Sequence, residues 1–208
     1  MKIEVKKFVV GPLSTNCYIL YETSSRYAVM IDPGTKNPKI EKFIEDEKIT
    51  LVAILLTHGH FDHIMGVDYY SKKFRIPVYI HEFDYPMLLD PVKNHSAFFG
   101  MPFSFDGKAT LIDKEKSLFI GPFSLKVIET PGHTKGSICI LTSDYLFSGD
   151  TLFVDSIGRT DFPESEPMKM QASLKKLVTL KEDITVHPGH MASAKMAIVK
   201  KKNPFLRF

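Results

Sequence analysis

Residues 57–63 of this 208-residue chain, THGHFDH, place three histidines and one aspartate within six positions, directly after the apolar run 51–56. A continuous apolar run of this length predicts a strand that is buried in a sheet. Imidazole and carboxylate groups are favoured ligands of zinc, iron and other transition metals. A loop that leaves a buried strand can turn several of these groups toward one point. The segment therefore predicts a metal site at the end of a strand.

Three further segments carry a histidine or an aspartate beside a glycine, just after a predicted strand. They are TPGHT at 130–134 with His133, SGDT at 148–151 with Asp150, and HPGH at 187–190 with His190. Glycine allows a tight turn and lets the backbone come close to a site. One such residue alone predicts little, but beside 57–63 they complete a candidate ligand set. The set is His58, His60, Asp62, His63, His133, Asp150 and His190.

The remaining pattern predicts an α/β fold within a single domain over 1–208. Apolar and alternating stretches predict strands at 2–10, 16–21, 26–31, 51–56, 77–80, 109–112, 117–120, 123–129, 137–142, 144–148 and 184–187. Amphipathic spacing predicts helices at 38–48, 64–74, 167–181 and near 191–201. Residues 84–107, rich in proline and aromatic residues, are typical of a long loop or broken helices, either a lid or an apolar loop on the core. This order of elements predicts two sheets that face each other with helices outside.

The charge and the apolar runs of the chain indicate which partners and which cellular location to expect. The net charge is +3, and the lysines near the C-terminus do not form the dense basic stripe with aromatic residues that nucleic-acid binding needs. No apolar run is long enough for a bilayer, and the N-terminus lacks the apolar core of a signal peptide. We therefore expect a cytoplasmic protein with neither nucleic acid nor membrane as a partner. Cys17 and Cys139 are expected to be buried, reduced thiols rather than a disulfide framework.

The spacing His58-x-His60-x-Asp62-His63, followed in order by His133, Asp150 and His190, resembles that of the metallo-β-lactamase superfamily. The resemblance covers nearly the whole chain, from about Asn16 to the ending NPFL at 203–206. It implies a four-layer αββα sandwich of two mixed β-sheets with helices outside. Within the superfamily, the chain is most similar to the glyoxalase II-like hydrolases, also called hydroxyacylglutathione hydrolases. Only a short tail follows His190, so the resemblance is to a compact form without the C-terminal helical domain.

The resemblance also implies a division of the ligands and a reaction. One divalent ion is implied on His58, His60 and His133, and the other on Asp62, His63 and His190, with Asp150 bridging both. Zinc is the first expectation for both ions, with iron or manganese as alternatives. A hydroxide that bridges the ions, near Asp62 and Asp150, would attack the carbonyl of a small-molecule thioester. Asp32 is implied to orient a ligand loop by hydrogen bonds. Arg159 either holds a substrate carboxylate or forms a structural ion pair.

Two other functions stay open at this point. The run GRTDF at 158–162 is also similar to persulfide dioxygenases of the same superfamily, in which one iron would lie on His58, His133 and Asp150. The compact length and the NPFL ending favour the hydrolase. The other alternative is a metal-binding protein of the same fold without turnover. His81 falls outside the ligand set and is expected to be a surface or capping residue, and His95 lies in the possible lid.

Overall fold

The computed structural model describes residues 2–208, and within them twelve strands form two six-stranded sheets. The first sheet contains, in spatial and chain order, β1 (Ile3–Val10), β2 (Thr15–Glu22), β3 (Tyr27–Ile31), β4 (Thr50–Leu55), β5 (Val78–His81) and β6 (Ala109–Ile112). The second contains β7 (Ser117–Ile120), β8 (Phe123–Glu129), β9 (Ile138–Leu141), β10 (Tyr145–Gly149), β11 (Thr185–Pro188) and β12 (Ala194–Lys195), again with chain neighbours side by side. Both sheets mix parallel and antiparallel pairs, as expected from the sequence.

Six α-helices accompany the sheets. They are α1 (Pro38–Asp46), α2 (Phe61–Ile64), α3 (Val67–Phe74), α4 (Tyr85–Leu89), α5 (Pro167–Val178) and α6 (Met196–Lys202), and a 3₁₀ turn at Pro204–Leu206 follows. Local sequence explains where α1 begins, because the Asn37 side chain accepts a hydrogen bond from Lys39 N at 2.9 Å and Pro38 stands at the first helical position. Within 2–208, no helix has the length and apolar character to cross a bilayer.

The alternation of side chains along each strand separates the core into three apolar layers. In β2, Ile19 packs toward α1 and α3, whereas Tyr18 and Leu20 point between the two sheets. The opposite face of the second sheet packs on α5 and α6 through residues such as Leu174 and Val199. The order is thus helices, sheet, sheet, helices, which is the four-layer αββα sandwich of the metallo-β-lactamase fold.

The predicted strands agree with the structure, and three of the predicted helices differ from it. Strands β6, β7 and β8 have the predicted bounds, the other predicted strands begin and end within one residue of them, and β12 was not predicted. The helix predicted at 64–74 is instead two helices, α2 and α3, separated at Met65 and Gly66, because Gly66 packs against the backbone of residues 33–35. The helix predicted near 191–201 begins only at Met196, since residues 194–195 pair with β11. The helix predicted at 167–181 ends at Val178, and the segment 84–107 contains one short helix, α4, in agreement with the predicted loop or broken helices.

Candidate metal centre

The seven candidate ligands follow strands that end at one edge of the sandwich. The loop 57–63 follows β4, and His133, Asp150 and His190 follow β8, β10 and β11. Strands β8 and β10 are both antiparallel to β9, and β11 is parallel to β10, so all three end at the same edge of the second sheet. Backbone bonds from Ile138 N to Thr57 O (2.9 Å) and from Asn16 N to Gly189 O (2.7 Å) join the two sheets there.

Helix α2 separates the directions of two neighbouring ligands. Asp62 and His63 are consecutive in the helix, so their side chains leave its axis roughly 100° apart. His58 and His60 precede the helix, and His60 has extended backbone, with φ −68° and ψ 145°. This change from loop to helix within six residues allows one short segment to supply ligands to two different points.

The first group consists of His58, His60 and His133, all of them buried. The facing nitrogen atoms, His60 Nδ1 and His133 Nε2, are 2.9 Å apart. The ring centroid of His58 lies 4.9 Å from that of His60 and 4.8 Å from that of His133. Three imidazoles therefore converge on one small volume, as a metal ion with nitrogen ligands requires.

The second group consists of Asp62, His63 and His190. His63 Nε2 is 3.4 Å from His190 Nε2 and 3.5 Å from Asp62 Oδ2. His190 Nε2 is 3.3 Å from the same carboxylate oxygen, which also accepts a hydrogen bond from Thr15 Oγ at 2.6 Å. This group adds a negative charge to two imidazoles, so it favours a divalent cation.

Asp150 lies between the two groups. Its Oδ1 atom is 3.5 Å from His63 Nε2, and its Oδ2 atom is 3.4 Å from His190 Nε2 and 3.7 Å from His133 Nε2. One carboxylate thus contacts ligands of both groups, which is the placement that a bridging ligand needs.

Within residues 2–208, buried polar atoms of these side chains lack hydrogen-bond partners, which fits a site that binds a pair of metal ions. Two buried side-chain atoms of this cluster, His58 Nε2 and Asp150 Oδ1, have no hydrogen-bond partner among the described residues. An unpaired buried polar atom costs about 1–3 kcal/mol. Cations coordinated here would satisfy both atoms and would offset the charge of the Asp62 and Asp150 carboxylates.

In the metal-free chain, the carboxylates determine which histidines carry protons. Burial opposes a charge on His63, but the Asp62 and Asp150 carboxylates outweigh it and raise the pKa of His63 to about 9. Burial is likewise outweighed at His190, where Asp150 and Asp62 raise the pKa to about 10. At His133 burial prevails and lowers the pKa to about 4. His63 and His190 therefore hold protons at neutral pH, whereas the lowered pKa of His133 leaves its imidazole neutral.

Binding of metal to the metal-free protein near neutral pH should release about two protons per chain or more, because metal displaces the protons of His63 and His190. Both pKa values are raised, so the protons are present at low pH and are lost as the pH rises through about 9 and about 10. The apparent affinity for zinc should accordingly increase with pH up to that range. Calorimetric titration in two buffers of different ionisation enthalpy measures the release. A titration without proton release near pH 7 would contradict this protonation state.

Asp32 orients the loop 57–63 and one of its ligands. Its carboxylate accepts hydrogen bonds from Thr57 N at 2.8 Å and from Thr57 Oγ1 at 2.6 Å, and its Oδ2 atom is 3.0 Å from His63 Nδ1. With Nδ1 engaged, His63 presents Nε2 to the metal centre. Carboxylate contacts of this kind fix the tautomer and orientation of a ligating imidazole.

Asp84 is a second buried carboxylate that positions the ligand loops, and the sequence analysis missed it. Its Oδ2 atom accepts hydrogen bonds from Gly59 N (3.0 Å) and Thr134 Oγ1 (2.6 Å), and its Oδ1 atom accepts one from Gly136 N (2.7 Å). It thereby ties the loop before α2 to the loop of His133. Burial raises the pKa of Asp84 above its usual range, although these hydrogen bonds oppose the shift.

Replacement of Asp84 by alanine should weaken the first ligand group and destabilise the fold. Three donors lose their acceptor, which should cost about 3 kcal/mol of unfolding free energy, and metal affinity should fall roughly 10–100-fold. Urea denaturation of the metal-free protein and competition with a chelator measure the two effects. Glu82→Ala, an exposed residue of the same loop, is the control. Unchanged metal affinity in Asp84→Ala would show that the two loops do not depend on this carboxylate.

Glu164 and His95 extend the contacts of the first group, and neither belonged to the predicted ligand set. Glu164 Oε1 is 3.0 Å from His60 Nε2 and also pairs with His95 Nε2. With Nε2 engaged, His60 presents Nδ1 toward His133. No short-range motif signals this contact, because Glu164 stands more than a hundred positions from His60.

Two other residues of the sequence analysis have definite surroundings in the structure. The guanidinium of Arg159 is exposed and makes two hydrogen bonds of 2.9 Å to Asp161, from Nε and from Nη2. His81 was expected to be a surface or capping residue: the surface location was wrong, and the capping role is confirmed. His81 is buried in β5, its Nε2 atom is 3.0 Å from Glu129 Oε1, and its Nδ1 atom caps Phe83 N.

An open cavity of about 480 Å³ lies over the two ligand groups. Its floor is formed by candidate ligands: His60, Asp62, His133, Asp150 and His190. The segment 84–107 contributes His95 and Phe99 to the wall, so it lies beside the cavity. The volume lies within the range of small-molecule sites.

Comparison with known proteins agrees with this geometry. The family model described as the metallo-beta-lactamase superfamily matches residues 10–190. The "Probable metallo-hydrolase YqgX" of Bacillus subtilis is 37% identical over 97% of this chain and 96% of its own length. The "Hydroxyacylglutathione hydrolase GloC" of Haemophilus influenzae is 29% identical over 99% of this chain and 98% of its own.

Two solved structures are similar over almost the full length of both chains. The crystal structure of "BLEG-1 B3 metallo-beta-lactamase" has a TM-score of 0.94 at 39% identity and covers 99% of this chain and 100% of its own. The crystal structure of "TTHA1623 in a di-iron-bound form" has a TM-score of 0.85 at 32% identity and covers 97% and 100%.

Proposed function

The chain belongs to the metallo-beta-lactamase superfamily, and from that membership we propose that it is a dinuclear metal-dependent hydrolase of thioesters. The observation that carries the proposal is the position of Asp150, whose carboxylate contacts ligands of both groups at the floor of the cavity. A mononuclear site would leave Asp62, His63 and His190 without a cation to share. Two divalent ions, zinc first, are therefore part of the proposal.

In the proposed reaction, one set of residues would hold the metal ions and a second set would orient those ligands. His58, His60 and His133 would hold one ion, Asp62, His63 and His190 the other, and Asp150 both. Bound there, such ions polarise a carbonyl and generate hydroxide at neutral pH. Asp32 and Glu164 keep His63 and His60 oriented by occupying their second nitrogen atoms. The apolar wall of the cavity limits water around the reacting carbonyl.

The net reaction adds one water molecule to the thioester. The acyl carbon gains the oxygen, the carbon–sulfur bond breaks, and the products are a carboxylic acid and a thiol. A thiolate is a good leaving group, so no additional residue is needed to protonate it. The proposed reaction therefore requires neither a nucleophilic serine nor a nucleophilic cysteine.

The relatives support this reaction to different degrees. The relative from Haemophilus influenzae bears the name of a thioester hydrolase, and its alignment spans nearly all of both chains. The TTHA1623 structure is described with two iron ions, so iron is the alternative to zinc in this proposal. The BLEG-1 structure is described as a β-lactamase at 39% identity, which favours β-lactam hydrolysis as the second candidate function.

Metal analysis followed by activity assays tests the proposal. Protein purified without chelator or affinity metal should contain about two metal ions per chain, as measured by elemental analysis. It should hydrolyse S-lactoylglutathione, lose this activity with a chelator, and regain it with metal. One iron per chain together with oxygen uptake on a persulfide would overturn the proposal in favour of a dioxygenase. Hydrolysis of a cephalosporin without thioester hydrolysis would favour a lactamase, and bound metal without any turnover a non-catalytic protein.

A further inference from the structure

The cavity above the metal centre is apolar on the side away from the ligands. Seven of its lining residues are aromatic or aliphatic: Leu13, Phe61, Phe99, Phe153, Ile157, Phe162 and Met191. They come from five separate parts of the chain, namely the β1–β2 turn, the start of α2, the segment 84–107, the loop 151–162, and the turn after β11. Apolar side chains from distant segments thus share one concave surface.

Several of these side chains stay exposed at the mouth of the cavity. Leu13 is 41% exposed, Phe99 52% and Met191 64%, although large apolar residues are normally covered in a folded protein. Exposed apolar groups that surround a concave site are typical of ligand binding. Deeper in the cavity, Phe162 packs edge-on to the candidate ligand His60, with ring centroids 5.2 Å apart. The apolar wall therefore extends from the solvent to the metal centre.

Apart from the proposed metal ions at its floor, the cavity has few cationic side chains to bind the carboxylates of an anionic substrate. Among the residues that line it in the described part of the chain, Arg159 is the only lysine or arginine. Its guanidinium makes two bonds to Asp161 and lies 4.4 Å from the centre of the Phe162 ring. The Nε–Nη2 edge of the guanidinium is therefore already paired with a carboxylate. A glutathione thioester carries a carboxylate at each end of its tripeptide, and a single side chain that is already paired does not match two carboxylates.

We infer that the substrate is a thioester with an apolar acyl chain and an uncharged thiol portion, which rests on the thioesterase function proposed above. The acyl chain packs against Phe99, Phe153 and Phe162, and the carbonyl lies over the metal centre. Water adds to the acyl carbon, the carbon–sulfur bond breaks, and a fatty-acid-like carboxylate, a neutral thiol and a proton leave. The inference excludes glutathione as the preferred thiol.

Four thioesters separate the acyl preference from the thiol preference. Acetyl and hexanoyl groups are each joined to N-acetylcysteamine, which is uncharged, and to glutathione, and kcat/KM is measured with the metal-loaded protein. Hexanoyl-N-acetylcysteamine should have a kcat/KM at least about tenfold above that of its acetyl analogue and of hexanoylglutathione. Equal or faster hydrolysis of hexanoylglutathione would overturn the inference and leave the proposed function intact. No hydrolysis of any of the four, or of S-lactoylglutathione, would overturn both the inference and the proposed function.

Substitutions in the apolar wall of the cavity test the preference for the acyl chain, and a substitution in the Arg159–Asp161 ion pair tests the preference for the thiol. Phe162→Ala should lower kcat/KM for the hexanoyl ester about tenfold and that for the acetyl ester less, because the longer chain buries more apolar surface against the aromatic wall. Asp161→Asn should raise kcat/KM for hexanoylglutathione several-fold by releasing Arg159. Phe119→Ala, which removes an exposed ring on β7, is the matched control and should change neither value.

The metal content of each variant shows whether a loss of activity results from a lost contact with the substrate or from damage to the metal site. Phe162 contacts His60, so its loss of activity counts for the inference only if two metal ions remain bound. Phe99→Ala, whose ring contacts Phe61 and no ligand histidine, provides a second variant with the same expected selectivity. Equal losses on acetyl and hexanoyl esters in both variants would show that the aromatic residues only support the fold, and would overturn the inference.

Discussion

Replacement of Asp150 by alanine is expected to remove both metal binding and hydrolysis. The carboxylate contacts His63, His133 and His190, so its loss takes a shared anionic ligand from both ions at once. Metal ions contribute several kcal/mol of transition-state stabilisation. A loss of about 4 kcal/mol corresponds to a fall of about 10³-fold in kcat/KM. Elemental analysis should find fewer than two metal ions per chain in the variant, and the thioester assay should find activity near the background rate.

Two further variants show whether the effect depends on the negative charge at this position. Asp150→Asn keeps the shape of the side chain and an acceptor oxygen, and it should still lose most metal affinity, because the neutral amide cannot offset two cations. Asp155→Ala removes an exposed carboxylate from the same loop and should keep both metal and activity. Asp150→Ala with two bound metal ions and full activity would refute the assignment of the bridging ligand.

Addition of one methyl group at Gly189 should disable the site almost as completely. A Cβ atom at this position would lie 2.1 Å from Asp150 Oδ1 and 2.6 Å from His63 Cε1, both far inside normal contact distance. The methyl group must displace the bridging carboxylate or the imidazole, or it must push the turn after β11 away from the first sheet. Gly189→Ala should thus lower metal affinity roughly 100-fold or more and destabilise the metal-free protein by about 1–3 kcal/mol.

The matched control for this substitution is Gly11→Ala. Gly11 has a φ of +68°, so alanine is strained there, yet a Cβ atom would meet no other atom within 4 Å. That variant should lose about 1–2 kcal/mol of stability and keep its metal and activity. If Gly189→Ala binds two metal ions with wild-type affinity, the close approach at the turn does not constrain the ligands.

The short-range patterns of the sequence were sufficient to predict the layers of the fold and to select the candidate metal ligands. The apolar run before residues 57–63 predicts a buried strand, and β4 lies in the middle of the first sheet. Each predicted ligand follows a strand, and this can be read without knowledge of the other loops. Alternation of period two along strands such as β2 also determines which side chains face helices and which face the other sheet.

Contacts between distant loops could not be read in the same way. Asp84 stands before Tyr85 and Pro86, where an aspartate normally caps a helix, yet its carboxylate binds the loops of His58 and His133. Glu164 contacts His60 only because the segment 150–166, between β10 and α5, folds over the cavity. A carboxylate has no spacing rule that identifies its partner when the partner is a hundred residues away.

The sequence by itself thus determined the chemistry of the site, because residue types and their positions after strands are local properties of the chain. The tertiary structure decided how that chemistry is controlled. Which nitrogen of His60 and His63 faces the candidate metal centre, and how apolar the cavity is, both depend on which segments meet at the open edge of the two sheets. That meeting results from packing of the two sheets against each other, and packing couples residues without regard to their separation in the chain.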